Sequence, residues 1–457
     1  MVELKLYNTR TKSVEAFVPF DRHNVRVYLC GPTVYDFAHV GNARSFVMGD
    51  NLNRLLRLLY GASHVTFVRN ITDVDDKIIK RAIETGLTIR EITDETNAEF
   101  QLDMQRLGVI DPDHQPRATD YIPQMSDMIQ TLISKGHAYQ APSGDVLFHV
   151  PSMPAYGTLS GRHQADLEAG ARVEVSEQKR DPSDFLLWKA AKPEEPANAN
   201  FDSIFGKGRP GWHIECSAMA KELLGDTFDI HAGGIDLIFP HHENEIAQSC
   251  CANDCELMAR YWLHGGFLNV NGTKMSKSLG NFFTVRQLMD EGVVPEAIRY
   301  QLMQAQYSQP HDISRDKLDL AKAKLDDWYR VLVNADLVDA QNQEPALEDV
   351  DPQALATLAH DLNTPGFFAR LDQLKDRPEL FRATANLVGL LTQEPAEWFK
   401  GDTSSQETLE IETLVQERID AKKAKNFARA DEIRDLLTGR GILLEDKPGG
   451  LTEWRKV

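Results

Sequence analysis

Short apolar segments alternate with amphipathic ones in the first part of the chain, and this alternation limits the fold more than any other feature. The segment "VRVYLC" (25–30) alternates like a strand, and "ARSFVMGDNLNRLLRLLY" (43–60) then has helical periodicity. "HVTFVRN" (64–70) has the pattern of a second strand, and "DVDDKIIKRAIETG" (73–86) that of a helix with acidic residues in its first turn. This order predicts a parallel α/β unit.

The α/β pattern is interrupted by a more irregular stretch and then resumes. A helix is predicted at 211–225, a strand at 227–231, a helix from Pro240 and a strand near 265–270. We therefore predict a doubly wound, Rossmann-like parallel sheet with an insertion, followed by C-terminal helical domains. The predicted boundaries are 1–114 and 209–290 for the two halves of the α/β domain, 115–208 for the insertion, 291–340 and 341–400 for two helical regions, and 401–457 for a C-terminal segment.

Composition and charge restrict the class of protein. The 457 residues are 42% hydrophobic and 26% charged, as in ordinary globular proteins. No apolar run approaches the roughly 18 residues of a membrane span, and the N-terminus has no signal-peptide core, so we expect a cytoplasmic protein. The net charge of −19 argues against a large nucleic-acid surface, yet residues 417–457 carry ten Lys/Arg against eight Asp/Glu and allow a local basic patch.

Four residues with metal-binding side chains are associated with these predicted elements. Cys30 ends a strand, Cys216 lies in a predicted helix, and His241 and Glu245 are four apart, so both can share one helix face. Two thiolates, an imidazole and a carboxylate suit Zn²⁺. The spacing alone also fits buried cysteines and a solvated His/Glu pair. A rival cluster, "SCCANDC" (249–255), fits plain packing better.

Two loops at the ends of predicted strands have features of nucleotide binding. "HVGNAR" (39–44) lies at a strand-to-helix junction, where backbone N–H groups favour anions. Gly41 permits close approach of a ligand, and His39 offers a donor. The pattern by itself also fits ordinary helix capping. In "GGID", Asp236 is available for a ribose hydroxyl.

A third loop, "NGTKMSKSLGN" (271–281), is more specific. It places Lys274 and Lys277 among glycines and serines after a strand. Lysine charges aimed at phosphates explain this composition better than a merely solvated loop does.

Together these segments resemble the class I aminoacyl-tRNA synthetases, and within that class the cysteinyl-tRNA synthetase family. "KMSKS" marks the class, whereas the combination of "CGPTVYD", "GWHIECSAM" and "PHHENE" marks the family. The resemblance covers nearly the whole chain. It implies a ligase that activates L-cysteine with ATP and transfers it to the 3′ adenosine of tRNA(Cys), as a monomer that uses one Zn²⁺, with Mg²⁺ accompanying ATP.

The resemblance also assigns roles to individual residues of this sequence. It assigns zinc binding to Cys30, Cys216, His241 and Glu245, and catalysis to His39, Asn42, Lys274 and Lys277. It assigns ATP contacts to Gly41, Asp236 and Lys277, and the cysteine pocket to Gly31, Thr72 and Trp212. It assigns anticodon contacts to Lys422, Asp431 and Asp446.

Two positions depart from the family pattern. Asn42 stands where the first signature commonly ends in histidine; asparagine can donate to a phosphate oxygen but carries no charge. Lys422 aligns with a usual arginine, and the two are not interchangeable at a bidentate site.

Two alternatives remain open at this stage. One is a ligase that passes cysteinyl-adenylate to a small amino sugar, and the other is a non-catalytic zinc- or RNA-binding relative.

Overall fold

The structure is a computed structural model that describes residues 2–162, 179–193, 195–275, 281–335, 337, 344–399, 405–446 and 452–456. Lys277, which the sequence assigns to the nucleotide site, lies outside the described residues. Within the described ranges, none of the helices is long and apolar enough to cross a membrane.

Strands and helices alternate through the first two thirds of the chain, and helices dominate the last third. The strands are β1 (Lys5–Asn8), β2 (Ser13–Ala16), β3 (Val25–Leu29), β4 (Val65–Arg69), β5 (Ala138–Gln140), β6 (Val146–Phe148), β7 (Phe185–Ala190), β8 (Gly208–Pro210), β9 (Phe228–Gly234), β10 (Ala259–Gly265), β11 (Leu268–Val270), β12 (Thr273–Lys274), β13 (His311–Ile313), β14 (Ile442–Asp446) and β15 (Thr452–Lys456). The α-helices are α1 (Val40–Tyr60), α2 (Asp76–Thr85), α3 (Ile89–Arg106), α4 (Ile122–Ser134), α5 (Trp212–Leu224), α6 (Glu243–Asn253), α7 (Val285–Asp290), α8 (Pro295–Leu302), α9 (Arg315–Asn334), α10 (Pro352–Leu358), α11 (Thr364–Leu371), α12 (Pro378–Asn386), α13 (Pro395–Trp398), α14 (Ser405–Lys423) and α15 (Phe427–Gly439).

A four-stranded parallel sheet of order β10-β9-β3-β4 forms the centre of the α/β domain. Alternate residues of β3 point to opposite faces. Val27 and Leu29 join the apolar core that includes α1. Tyr28 and Cys30 join a second core on the other face, which includes residues of α4 and α5. Helices on both faces confirm the predicted doubly wound fold.

The strand prediction near 265–270 was only partly right. Residues 268–270 form β11, but β11 belongs to a separate three-stranded sheet of order β12-β11-β13. The strand that completes the parallel sheet is β10, which the sequence analysis missed. Nearly every residue of "ARYWLHG" is buried, so this strand has no apolar–polar alternation that would identify it.

The helix predicted from Pro240 also begins later than expected. A wide turn of π-helical type covers Ile238–His242, with Phe239 in an extended conformation (φ −139°, ψ 130°). The regular helix α6 starts at Glu243. His241 therefore precedes the helix, although it still lies one turn before Glu245.

Two further units flank the α/β domain. Strands β5 to β8 form an antiparallel sheet in the order of their numbers, within the region predicted as an insertion. At the C-terminus, α14 and α15 pack with the antiparallel β14–β15 hairpin. The core of this C-terminal module contains Ile411, Val415, Ile433, Leu437, Ile442 and Trp454.

Candidate active site

The end of β3, the helix α5 and the turn before α6 bring buried sulfur, imidazole and carboxylate groups together. Ligand atoms of Cys30, His241, His242 and Glu245 all lie within 4.8 Å of one another, and the four side chains are buried. Cys216 Sγ lies 3.9 Å from Cys30 Sγ. The structure thus places the four residues that the sequence assigned to zinc side by side. We call these five residues the metal cluster.

His242 is the member of the metal cluster that the sequence analysis did not single out. Its Nε2 lies 3.3 Å from Cys30 Sγ, and its Nδ1 lies 2.8 Å from Nε2 of His264. His264 in turn contacts the Thr9 hydroxyl at 2.8 Å. The only signal in the sequence was the adjacency of two histidines in "PHHENE". Helical periodicity favoured His241 over His242, because His241 and Glu245 are four residues apart.

Glu245 is held by two imidazoles. His241 Nε2 lies 3.0 Å from Glu245 Oε1, and His231 Nε2 lies 2.8 Å from Oε2. Burial opposes ionisation of this carboxyl group, but the charges and hydrogen bonds of His231 and His241 prevail and lower its pKa to about 2. The lowered pKa keeps Glu245 anionic at neutral pH even though its side chain is fully buried.

The two cysteines of the metal cluster differ in acidity. A hydrogen bond from Cys30 is the main cause that lowers the pKa of Cys216 to about 6, whereas burial raises the pKa of Cys30. Of the two thiols, Cys216 is therefore the one that ionises more readily. A thiolate, a carboxylate and imidazoles in a closed space form a donor set that fits Zn²⁺.

Trp212 forms one wall beside the metal cluster. It is the first residue of α5, and its ring stacks on His241 with a centroid distance of 4.2 Å and an interplanar angle of 22°. Trp212 as a whole is still 40% exposed. One face of Trp212 therefore covers a candidate metal ligand while the side chain remains accessible from solvent.

The other two residues assigned to the cysteine pocket are linked through Asn70. The Gly31 N–H donates to Asn70 Oδ1 at 2.8 Å, and Thr72 is buried next to Asn70 in the loop after β4. A Cβ on residue 31 would lie 1.6 Å from the Asn70 carbonyl oxygen, so only glycine fits there. Thr72 donates its hydroxyl hydrogen to Glu215 Oε2 at 3.0 Å.

His39 and Asn42 form the N-terminal cap of α1. His39 Nδ1 accepts the backbone N–H of Asn42 at 3.1 Å, which makes Nε2 the position for the hydrogen of a neutral ring. A Cβ on Gly41 would lie 3.0 Å from His39 Nδ1 and 3.1 Å from Met275 Cε. Glycine thus lets the imidazole and the start of the lysine loop meet at the helix N-terminus. Lys274 ends β12, directly before Met275.

Asp236 lies at the same edge of the sheet, after β9. It is exposed, and its Oδ1 lies 2.5 Å from the position that a Cβ on Gly234 would occupy. Ser45 Oγ of α1 lies 3.6 Å from that position. The carboxylate of Asp236 and the Ser45 hydroxyl of α1 therefore both lie close to the backbone of Gly234.

The three residues assigned to the anticodon lie in the C-terminal module, and two of them are in contact. Lys422 Nζ lies 2.5 Å from Asp446 Oδ2, and Arg418 contacts both oxygens of Asp446 at 2.7 and 3.1 Å. Asp431 is separate from this pair; it contacts Arg434 at 3.1 Å.

Comparisons with known proteins identify the family of this chain. Residues 16–323 match the family model of the tRNA synthetases class I (C) catalytic domain. A cysteine–tRNA ligase of Rhodospirillum centenum is 53% identical, covering 99% of this chain and 100% of the relative. One from Rhodospirillum rubrum is 50% identical over 99% and 100% of the two chains. One from Rickettsia canadensis is 47% identical, covering 100% of this chain and 99% of the relative.

Among solved structures, methionyl-tRNA synthetase of Mycobacterium tuberculosis in complex with methionyl-adenylate aligns with a TM-score of 0.52. The identity is 16%, and the alignment covers 80% of this chain and 88% of that one, so it supports the fold alone. The family match and the identities over the full length place this chain in the class I aminoacyl-tRNA synthetases, in the cysteine–tRNA ligase family.

Proposed function

We propose that this protein is a cysteine–tRNA ligase that activates L-cysteine with ATP and transfers it to the 3′ adenosine of tRNA(Cys). The observation that carries the proposal is the metal cluster, in which His241 stacks on Trp212 and Cys216 directly follows Glu215, the hydrogen-bond partner of Thr72. The relatives that bear the name cysteine–tRNA ligase match this chain over its full length.

The donor set supports zinc as the resident metal. Cys30, Cys216, His241 and Glu245 would hold it, and His231 fixes the second oxygen of Glu245 at 2.8 Å. When bound, Zn²⁺ supplies a soft Lewis acid that takes a thiolate in preference to a hydroxyl, which is the difference between cysteine and serine. An apolar pocket alone would reject serine by only about 10²-fold.

The residues around the N-terminus of α1 suit the activation step. A carboxylate oxygen of cysteine forms a bond to the α-phosphorus of ATP, and the bond to pyrophosphate breaks. We assign stabilisation of the departing negative charge to His39, Asn42, Lys274 and Lys277, with Mg²⁺ accompanying the phosphates. Gly41 and Asp236 hold the nucleotide. The residues contribute positioning and charge, without a covalent enzyme intermediate.

The regions beyond residue 340 favour tRNA over a small amino sugar as the acceptor. The chain continues through three helices between 352 and 386 into the C-terminal module, which contains Lys422, Asp431 and Asp446. We assign anticodon recognition to this module, and we expect a cytoplasmic monomer.

ATP–pyrophosphate exchange tests the proposal. Wild type and Cys216→Ser are assayed with cysteine and with serine, and zinc is quantified in each protein. Exchange that needs cysteine, ignores serine and is lost together with zinc in Cys216→Ser is the expected result. Exchange with serine, or full cysteine activity without zinc, would contradict the selector role of the metal. No exchange, with or without tRNA, would contradict the proposed activity.

A further inference from the structure

We propose that Arg44 is a positioning residue of the activation step, which holds the β11–β12 hairpin, and with it Lys274, against the first turns of α1. The inference rests on the proposed function, in which Lys274 and His39 act on the same phosphates. Arg44 ends the motif "HVGNAR", but neither the motif nor the family resemblance assigned a role to it.

The side chain of Arg44 is buried among backbone carbonyl groups. It lies in the second turn of α1 and is 3% exposed. Nη1 donates to the carbonyl oxygens of Gly266 at 2.9 Å and Phe267 at 3.0 Å. Nη2 donates to those of Gln306 at 3.2 Å and Gln309 at 2.7 Å. One guanidinium group therefore joins three separate parts of the chain.

Two of these carbonyl groups belong to the residues that lead into the hairpin. Gly266 and Phe267 connect β10 to β11. The chain then turns back into β12, where Lys274 pairs with Asn269 of β11. Arg44 thus holds the base of the hairpin whose second strand ends at Lys274.

The other two carbonyl groups belong to the turn before β13, the third strand of the same small sheet. The Gly266 N–H donates to the Tyr307 carbonyl oxygen at 2.7 Å, and the His311 N–H donates to that of Phe267 at 3.0 Å. A Cβ on Gly266 would lie 2.5 Å from the Gln309 carbonyl oxygen, so glycine permits this close approach. Arg44 therefore holds the sheet β12-β11-β13 at two points.

The chain after "KMSKS" is attached to the start of α1 by its backbone. The Val40 N–H donates to the Phe283 carbonyl oxygen at 3.1 Å, and the Val285 N–H donates to that of Ala38 at 2.9 Å. The residues on both sides of the motif are thus fixed to the same helix end, those after it by backbone pairing and those before it by Arg44. The position of Lys274 relative to His39 depends on both attachments.

The geometry of a guanidinium group suits this position better than its charge alone. Burial lowers the pKa of Arg44 to about 10, which leaves it protonated at neutral pH, and among the residues that the structure describes no carboxylate forms an ion pair with it. An unpaired buried charge is costly, and the four hydrogen bonds offset part of that cost. A planar group with donors on both arms reaches two pairs of carbonyl oxygens at once, whereas a lysine ammonium is a single point.

A purely structural role would make a different prediction. If Arg44 only contributed to stability, a variant that is fully folded at the assay temperature would have wild-type kinetics. A positioning role predicts a lower kcat of ATP–pyrophosphate exchange in folded protein. The KM for cysteine and the zinc content should be unchanged, because the four hydrogen-bond partners of Arg44 do not belong to the metal cluster.

We expect Arg44→Met to lower kcat about 10- to 100-fold, because a misplacement of about 1 Å can cost that much. Arg44→Lys keeps the charge but cannot bridge both pairs of carbonyl groups, so it should remain at least about fivefold below wild type. In a Lys274→Met background, Arg44→Met should have little further effect on kcat, because Arg44 acts through Lys274. Arg44→Lys also provides every readout if Arg44→Met does not fold.

Amide hydrogen exchange of the unliganded protein gives a readout that does not depend on activity. Peptides covering 266–275 and 306–313 should exchange faster in Arg44→Met than in wild type, because the attachment of the small sheet is lost. Peptides covering α5 should exchange as in wild type.

The matched control is Arg382→Met. Arg382 is also 3% exposed and also donates to backbone carbonyl groups, those of Leu391 at 3.3 Å and Gln393 at 3.2 Å, but it lies in α12 of the helical region. This variant should lower the melting temperature as Arg44→Met does and should leave kcat unchanged.

The inference is overturned if folded Arg44→Met keeps the wild-type kcat, or if Arg44→Lys restores it fully. It is also overturned if the effects of Arg44→Met and Lys274→Met multiply, or if hydrogen exchange at 266–275 is unchanged. These results leave the proposed function intact, because wild type would still show cysteine-dependent ATP–pyrophosphate exchange. A wild type without pyrophosphate exchange would overturn both the proposed function and the role of Arg44 in it.

Discussion

Two carboxylates, one in the α/β domain and one in the C-terminal module, make similar contacts in different surroundings. Glu245 in the metal cluster is held by His231 and His241, and its side chain is fully buried. Asp446 in the C-terminal module is held by Arg418 and Lys422, with 47% of its side chain exposed. The partners lower the pKa of both groups: for Glu245 against the opposing effect of burial, and for Asp446 chiefly through the hydrogen bond from Arg418.

The difference shows that burial, rather than the number of contacts, decides how much free energy is lost when a carboxylate loses a partner. Water can replace the partners of Asp446, so losing one of them costs little. Water cannot reach Glu245, so each partner is needed to keep a charge in that position. The retained charge of Glu245 is consistent with a functional site, where perturbed pKa values are concentrated.

The largest expected effect is at Glu245. Glu245→Gln removes a buried negative charge and leaves His231 and His241 without their anionic partner. Breaking a buried pair in this way lowers the free energy of unfolding by about 3–5 kcal/mol. We expect loss of zinc and less than about 1% of wild-type exchange activity, since even an outer partner of a metal ligand is worth 10- to 100-fold. Zinc analysis, exchange assays and urea unfolding measure these effects.

Glu243→Gln is the matched control for that experiment. Glu243 is also a buried carboxylate in α6, but it accepts the N–H groups of Leu159 and Ser160 and is not part of the metal cluster. This variant should keep its zinc. A Glu245→Gln protein with full zinc and activity would show that the comparison does not hold.

Glu296 is a third case, because among the described residues it is a buried carboxylate without a cation in hydrogen-bond contact. It accepts from the Leu391 N–H at 2.7 Å and from the Tyr329 hydroxyl at 2.8 Å. Burial dominates over these bonds and raises its pKa from 4.5 to about 7.

The sign of the resulting pH dependence follows from the raised pKa. The contribution of Glu296 to stability is full below about pH 4.5 and is lost as the pH rises through about 7. We expect Glu296→Gln to match wild type near pH 4.5 and to be more stable at pH 8, by on the order of 3 kcal/mol. Denaturant unfolding at both pH values measures this difference. Equal stability differences at both would contradict the raised pKa.

His231 should show a smaller effect, because it acts through Glu245. His231→Gln removes the imidazole that contacts Glu245 Oε2. Loss of a residue that hydrogen-bonds a metal ligand lowers metal affinity about 10- to 100-fold. The variant should therefore bind zinc when zinc is in excess, but a chelator too weak to remove zinc from wild type should remove it from the variant. Unchanged zinc affinity in a chelator competition would show that His241 alone holds the carboxylate.

The smallest effect is expected at Asp446. Asp446→Asn should change the free energy of unfolding by no more than about 1 kcal/mol, with less effect at high salt. If the module recognises the anticodon, tRNA charging should fall while pyrophosphate exchange is unaffected. Asp435→Asn, also exposed and paired with Arg434, is the control. A loss of exchange in Asp446→Asn would contradict the separation of the two regions.

Local patterns in the sequence were sufficient for much of the fold. The strand around Val27, the helix after Gly41 and the helix ending at Gly86 were all predicted, because periodicity and capping act within a few residues. The strand β10 was missed, because a strand buried on both faces is defined by the neighbour it pairs with. That neighbour, β9, lies earlier in the chain and has no recognisable relation to it in sequence.

The amino-acid sequence shows which side chains with metal and phosphate chemistry are available, and its motifs identify the family. Three contacts became visible only in the folded chain: His242 joins the metal cluster, Trp212 stacks on His241, and Thr72 is hydrogen-bonded to Glu215. These contacts join the ends of separate strands and helices, and their strength depends on burial. Neither distance nor exclusion of water is encoded in spacing along the chain.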